Sequence, residues 1–187
     1  MTERVRLLLA HGVDPDGLGY HPIYAARTAY ELATLAGNVE IAELLAAAGA
    51  KVADIDPVDQ LLSRCLAGDA VGTRAMVQAS PELLPAAIRR APATVARAVQ
   101  TGRLGAVQLA LELGFAVNAR MSGEHRQTAL HTAAEGGHVA IAELLVAAGA
   151  DVGARDTSFD GTPLDWAEHL GQADVAHVLR ARVPPAP

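Results

Sequence analysis

Short apolar segments with helical spacing recur along the chain, and two of them are nearly identical. Residues 37–50 and 137–150 align almost letter for letter at an offset of 100 residues. In both copies the apolar side chains stand three and four positions apart, which places them on one face of a helix. We expect the leucines that the copies share to form the core and to contact the same residues of adjacent units; they are Leu44, Leu45, Leu144 and Leu145.

One period governs the whole chain. A glycine begins each of the two copies, and further glycines stand at related positions between and after them. The spacings are 31, 34, 35 and 34 residues for the series Gly37, Gly68, Gly102, Gly137 and Gly171. A fixed period of this length is typical of repeat proteins, in which each unit buries its apolar face against its neighbours.

A threonine opens a shorter helical segment upstream of three of these glycines, at Thr28, Thr128 and Thr162. Glu31 stands three residues after Thr28, which is the spacing of a capping box, and Pro163 suits the first turn of a helix. The longer segments end at Gly-Ala-Asp or a variant of it, where glycine can adopt the left-handed conformation of a helix C-terminus. Each period therefore predicts a helix, a tight turn, a second helix and a loop.

These motifs resemble the ankyrin repeat. Residues 128–133 match its signature Thr-Pro-Leu-His-x-Ala with one change, Ala129 for proline, and residues 162–167 match it with Asp165 in place of histidine. The Gly-His pair at 137–138 and the Gly-Ala-Asp-Val run at 149–152 match as well. The resemblance implies an all-α solenoid of helix-turn-helix units joined by hairpin-like loops.

The repeats are expected to form a single ankyrin-repeat domain over residues 1–187. The predicted units are 1–13 (partial), 14–50, 51–84, 85–118, 119–152 and 153–183. The third and fourth units lack the threonine motif, and Pro57, Pro81, Pro85 and Pro92 stand near their predicted helix boundaries. Residues 80–85 replace the usual Gly-Ala-Asp loop, which leaves both regular and irregular stacking open for these central units.

Composition and charge exclude several classes of protein. Only 3% of the residues are aromatic although 51% are hydrophobic, so the apolar content is mainly Ala, Leu and Val. The net charge is −6 and Lys51 is the one lysine, so a basic footprint for nucleic acid is missing. The apolar runs are too short to cross a membrane. The lone Cys65 excludes an intramolecular disulfide and fits a cytoplasmic protein.

The sequence predicts no catalytic residue, no cofactor site and no metal site. It contains neither a nucleophile elbow nor a phosphate-binding glycine loop. Asp165 and His169 share a helical face and could supply two metal ligands, but a third convergent ligand is missing. By the resemblance, His131 and His138 are structural histidines of the kind that hydrogen-bonds between neighbouring repeats.

The resemblance implies a non-catalytic module that binds another protein through a concave face and through its loop tips. Positions before each opening threonine or inter-helix glycine are expected on that face: Arg27 with Leu35, Leu66 with Ala67, Gln100 with Thr101, Gln127 with Glu135, and His169 with Leu170. The loop tips add Tyr20, Tyr24, His125, Arg126 and Phe159. The alternatives are a regulatory or targeting fragment of a larger protein, and a small-molecule or metal-dependent enzyme that uses the irregular central repeats.

The first unit has only one helix, with Val5, Leu8 and Leu9 facing no preceding helix. An uncapped repeat end exposes apolar surface. We therefore expect either that the natural chain continues upstream or that a second copy covers this edge by self-association. The rival expectation is that Glu3, Arg4 and Arg6 make the end polar enough for a monomer.

Overall fold

Twelve α-helices make up the regular structure of the described residues, which are 2–16, 28–51, 55–122 and 126–182 of a computed structural model. These ranges contain no β-strand, so the all-α prediction is confirmed. None of the described helices is both long enough and apolar enough to span a membrane. The chain divides into two compact units, Met1–Leu83 and Leu84–Pro187.

The first unit consists of one single helix followed by two helical pairs. Its helices are α1 (Thr2–Ala10), α2 (Ala29–Leu35), α3 (Val39–Ala47), α4 (Pro57–Ala67) and α5 (Ala70–Ala79). Within each pair, α2 packs against α3 and α4 packs against α5. Between successive repeats, α1 packs against α3 and α2 packs against α4. First helices therefore stack on first helices, and second helices on second helices.

The second unit contains three helical pairs preceded by one further helix. Its helices are α6 (Leu83–Arg90), α7 (Thr94–Gln100), α8 (Leu104–Glu112), α9 (Ala129–Glu135), α10 (Val139–Ala147), α11 (Pro163–His169) and α12 (Ala173–Arg180). The first helix α9 packs against α7 and α11, and the second helix α10 packs against α8 and α12. Two parallel rows of helices result, as expected of stacked helix-turn-helix repeats.

The predicted turn glycines all adopt the left-handed conformation. Their φ angles lie between 65° and 78° at Gly37, Gly68, Gly102, Gly137 and Gly171. A Cβ atom on Gly37 would also lie 2.7 Å from the Cβ of Leu66, which is closer than two non-bonded carbon atoms can approach. The glycine is therefore required there both for its backbone conformation and for the packing of the next repeat.

The threonine caps form as predicted. The Thr28 hydroxyl accepts from the Glu31 N–H at 3.2 Å, and the Glu31 carboxylate accepts from the Thr28 N–H at 2.7 Å. Thr162 and Asp165 form the same reciprocal pair at the start of α11. Satisfying these amides defines where each short helix begins.

The shared leucines contribute unequally to the core. Leu45 and Leu145 are buried, whereas Leu44 and Leu144 are only half-buried. The prediction that all four form the core is therefore wrong for Leu44 and Leu144. In α10 the buried residues are Ile141, Ala142 and Leu145, so Leu144 lies at the edge of the buried stripe.

The fourth repeat begins with a helix where the other repeats have a loop. The helix α6 lies within the segment that the sequence left open between regular and irregular stacking. Pro85 is its third residue, in a first turn whose N–H groups lack helical partners, so the ring is tolerated. Pro57 likewise opens α4 at its first position. The proline-rich segment thus replaces a loop with an extra helix.

Side chains join the loop of one repeat to the loop of the next. The Asn118 amide donates to the Gly149 carbonyl at 3.1 Å and accepts from the Asp151 N–H at 2.9 Å. In the first unit, the Asp16 carboxylate accepts from the Lys51 N–H at 2.8 Å. Asp16 and Asn118 each follow a left-handed glycine by four residues, so the same device occurs in both units.

The first helix is covered on one side only. Val5 and Leu9 pack against the buried cluster that includes Ile41 and Leu45. Leu8 is exposed, like its neighbour Leu7. The expected apolar edge therefore consists of Leu8 with Leu7 rather than of Val5 and Leu9, and self-association through it stays a prediction.

Candidate functional site

Three of the predicted partner-binding residues occupy equivalent positions in successive repeats. Gln100, Glu135 and His169 are the last residues of α7, α9 and α11, and all three are exposed. Arg126 is exposed, and the adjacent Gln127 is half-buried; both lie in the loop that precedes α9. These residues therefore lie on the side of the second unit that is formed by first helices and loops.

Several predicted residues fall outside the described part of the chain. These are Tyr20, Tyr24, Arg27 and His125. Leu35 ends α2, but its side chain is also outside the description. The expectations for these five residues stay predictions.

Leu66 is wrongly assigned to the binding face. Its side chain is only 2% exposed, and its Cβ lies against Gly37 of the preceding repeat. The cause is the end of α4, which continues to Ala67 so that Gly68 itself is the C-cap. In α9 and α11 the cap residue precedes the glycine instead. Leu66 therefore serves packing between repeats.

A buried carboxylate organises the loop before α11. The Asp156 carboxylate accepts from the N–H groups of Ser158 (2.8 Å), Phe159 (2.7 Å) and Gly161 (3.0 Å), and from the indole N–H of Trp166 (2.9 Å). Burial raises the pKa of this carboxyl, but the hydrogen bonds outweigh burial and hold the pKa at about 2. Asp156 is therefore ionised at neutral pH, and it fixes the loop to α11.

Two aromatic rings meet at this loop and remain accessible. The centroids of Phe159 and Trp166 are 6.0 Å apart, with an angle of 65° between the ring planes. Phe159 is 70% exposed and Leu170, just after α11, is 44% exposed. Trp166 also contacts His131 of the preceding repeat edge-on, at 6.2 Å. The exposed side of the aromatic pair is therefore backed by buried structure.

A cavity of about 550 Å³ opens beside these rings. Its lining residues are Phe159, Asp160, Gly161, Asp165, Trp166, His169 and Leu170. We call it the α11 cavity. It brings together three residues predicted from sequence, Phe159, His169 and Leu170, but its lining does not include Arg126, Gln127, Glu135 or Gln100.

The carboxylates of the α11 cavity differ in their partners. Asp165 accepts from the N–H and the hydroxyl of Thr162 at 2.8 and 2.7 Å, and these hydrogen bonds lower the pKa of its carboxyl. The Asp160 carboxylate lies 3.2 Å from the guanidinium of Arg155. The charge of Arg155 also lowers the pKa of Asp165, so the two carboxylates share one guanidinium.

Sequence reasoning missed Trp166 and Asp156 as parts of this site. Trp166 is the one tryptophan in the chain, and a large aromatic residue inside a repeat motif was the available signal. Asp156 offered no such signal. Its role depends on the folded loop, in which three backbone N–H groups point at one carboxylate.

His131 joins two repeats, as the resemblance implied. Its Nδ1 accepts from the Thr128 N–H at 3.3 Å, which makes Nε2 the donor to the Gly161 carbonyl at 3.0 Å. Burial lowers the pKa of His131, so the ring is neutral at pH 7. His131 therefore connects α9 to the same loop that carries Phe159.

A second cavity, of about 720 Å³, lies within the first unit. It is lined by residues of α2, α3 and α4, and by the turn that leads into α5. Several of its polar groups are engaged locally. Asp69 caps α5 and pairs with Arg64 at 2.7 Å, and the Gln60 amide donates to the Ile55 carbonyl.

Cys65 is a buried thiol, and the described acidic and histidine residues do not cluster as metal ligands. Burial raises the pKa of the Cys65 thiol to about 12, so it stays protonated. Within the described ranges, no group of three or more His, Cys, Asp or Glu residues is arranged to hold a metal ion.

Known proteins share sequence features with the second unit. Residues 95–183 match a family of sequences described as ankyrin repeats, in three copies. The match begins within α7 and includes the loop of Asp156, the aromatic pair and α11. No curated protein matches the chain.

Proposed function

Because this chain is an ankyrin-repeat protein, and because such repeats generally mediate protein–protein interaction, we propose that it is a non-catalytic module that binds one partner protein. The partner contacts the first helices and loops of the second unit, with the α11 cavity as the anchor point. A cytoplasmic location belongs to the same proposal.

The exposed aromatic pair supports this proposal most directly. Aromatic side chains are enriched among the residues that dominate binding energy at protein interfaces. Phe159 is exposed, yet its backbone is fixed by Asp156 and its ring rests on Trp166. A side chain that is already ordered loses little conformational entropy when a partner covers it.

Binding along a row of repeats also fits the equivalent residues. Gln100, Glu135 and His169 present three different polar side chains at one position of three successive repeats. Such a row can recognise an extended surface one repeat at a time. Arg126 adds a cation at a loop tip, and arginine is favoured at interfaces.

The cavity of the first unit does not favour the enzymatic alternative. Its Asp69, Arg64 and Gln60 side chains serve a cap, an ion pair and a loop contact. Ankyrin repeats are also typically non-catalytic. We therefore favour the binding module.

The test compares proteins captured from the native source by the wild-type chain and by variants. Phe159→Ala and Arg126→Glu should each lose the specific partner, because both side chains are exposed on the proposed face. The matched controls are Val71→Ala, which removes another exposed apolar side chain, and Arg89→Glu, which reverses another exposed charge. Identical sets of captured proteins for all five chains would refute the proposal.

A further inference from the structure

We propose that the α11 cavity accepts one arginine side chain from the partner protein. This inference rests on the proposed function and adds the chemistry of the bound group. It is carried by three observations, namely an exposed aromatic wall, two carboxylates that share one guanidinium, and a supporting structure that is already fixed.

The aromatic wall suits a cation. The face of an aromatic ring is electron-rich and attracts Arg or Lys, most strongly where water is displaced. Phe159 is 70% exposed, so a ligand can reach its side chain. Trp166 is half-buried and forms the floor beside it. A planar guanidinium can stack on such rings, which a lysine ammonium cannot do.

The charge of the cavity is complementary to one cation. Arg155 lies 3.2 Å from Asp160 and its charge also acts on Asp165, so two carboxylates face one guanidinium and one negative charge is left over. Asp165 uses its Oδ2 atom for the Thr162 N–H and hydroxyl, so Oδ1 has no partner among the described residues. This second oxygen can accept a hydrogen bond from a guanidinium that enters the cavity.

A purely apolar occupant fits less well. Covering Asp165 with an apolar side chain would remove its carboxylate from water without a replacement donor, which is unfavourable. An arginine places its aliphatic stem against Leu170 and Phe159 while its head meets the carboxylate. The cavity volume of about 550 Å³ is large enough for one arginine side chain and for parts of the adjacent residues of the partner.

The supporting structure fixes the cavity before binding. Asp156 holds the backbone of Phe159 and the indole of Trp166 with the same carboxylate. His131 contacts both the Trp166 ring and the Gly161 carbonyl. The two rings are therefore in place without the ligand, which favours selective binding of one side chain.

Trp166 provides the measurement because it is the one tryptophan in the chain. Its emission is followed while the full chain is titrated with the peptide acetyl-Ala-Leu-Arg-Leu-Ala-amide. The same peptide with citrulline in place of arginine keeps the shape and removes the charge. We expect saturable binding with a Kd of roughly millimolar, since one side chain buries little area. The arginine peptide should bind about threefold to tenfold more tightly than the citrulline peptide.

Two variants test the walls of the cavity separately. Asp165→Asn keeps an oxygen for the cap and should reduce the preference for arginine to about twofold or less. Phe159→Ala should weaken the arginine peptide by about threefold. The matched controls are Glu31→Gln, which alters the equivalent cap of α2 away from the aromatic pair, and Val71→Ala. Both controls should bind like the wild type.

Three outcomes would overturn the inference. The first is equal affinity for the two peptides, which would show an apolar site, and the second is the absence of a saturable response. The third is a Trp166 emission that changes with protein concentration in the wild type but not in Phe159→Ala. This result would assign the cavity to a second copy of the chain. If the capture experiment still depends on Phe159 and Arg126 while arginine is not preferred, the inference fails and the proposed function stands.

Discussion

Among single residues, Asp156 has the widest influence on the candidate site, because one carboxylate accepts four hydrogen bonds. Each donor is neutral and comes from the loop or from α11. The loop conformation and the position of Trp166 therefore depend on a single ionised group. Losing its charge should affect both together.

We predict that part of the stability of the second unit is lost in acid. The pKa of Asp156 is about 2 in the folded chain and about 3.9 when unfolded. Its contribution is therefore complete above about pH 4 and is lost as the pH falls towards 2, by on the order of 2 kcal/mol. Asp156→Asn should be less stable at pH 7 but lose less stability between pH 5 and pH 2, as measured by urea unfolding with Trp166 emission. Parallel pH profiles for variant and wild type would contradict this.

A second prediction concerns the unequal leucines of α10. Leu145→Ala should destabilise the second unit by about 2–5 kcal/mol, because a fully buried side chain leaves a cavity. Leu144→Ala should cost clearly less, since its side chain is half-buried. Urea unfolding of the two variants gives the comparison. Equal losses of unfolding free energy for the two variants would show that burial does not decide how much each leucine contributes.

The residues show how far the sequence could predict the site. The resemblance predicted exposed positions at Phe159 and His169, because loop tips and helix ends recur in each repeat, and both residues are exposed. The same rule failed at Leu66, where α4 runs on to Ala67. A register change of this kind depends on how the helix ends, which periodicity does not encode.

At the scale of elements, the link from α9 to the next loop is the most specific connection in the second unit. The His131 ring reaches back to Thr128, at the start of its own helix, and forward to Gly161. The sixth repeat has Asp165 at the equivalent position, and within the described ranges Asp165 hydrogen-bonds to its own Thr162 and not to another repeat. The forward connection therefore depends on the imidazole.

We predict that His131→Ala loosens the loop of Phe159 as well as α9. The change leaves the Gly161 carbonyl and the cap of α9 without a partner, which should cost about 2–4 kcal/mol. Trp166 emission should shift to longer wavelength in the folded variant, because the ring that covers one edge of the indole is gone. The control is Thr162→Ala, which removes only a cap and should cost about 1 kcal/mol. An unchanged emission spectrum for His131→Ala would contradict the prediction.

The helices themselves were largely predictable, and the exceptions have a physical cause. Threonine caps and left-handed glycines recur with the period, so the paired helices followed from local chemistry. The helix α6 did not, because Pro81 and Pro85 suggested a break. A proline within the first turn of a helix is compatible with it, so the same residue fits either outcome.

At the scale of the whole molecule, the two units differ in the quality of their cores. Equivalent positions can be compared because the repeats align. Ile41 and Leu45 are 9% and 4% exposed, whereas Ile141 and Leu145 are 3% and 0% exposed. The core around α3 is therefore less completely closed to water than the core around α10.

We predict that unfolding occurs in two steps, with the first unit unfolding at lower urea concentration. Trp166 reports only on the second unit, whereas far-ultraviolet circular dichroism reports on the helices of both. The circular dichroism transition should begin before the fluorescence transition. Leu45→Ala should lower the urea midpoint of the first transition only, and Leu145→Ala should lower the midpoint of the second transition only. Coincident transitions in the wild type would contradict this.

The side-chain links between repeats have a consequence for how the chain folds. Hydrogen bonds from Asn118, His131 and Asp16 to the next repeat span 31, 30 and 35 residues. Each of these three links closes a chain loop of about one repeat, so the entropy cost of closure is modest and similar for all three. During synthesis, a repeat can complete its contacts as soon as its successor leaves the ribosome, without waiting for the distant end of the chain.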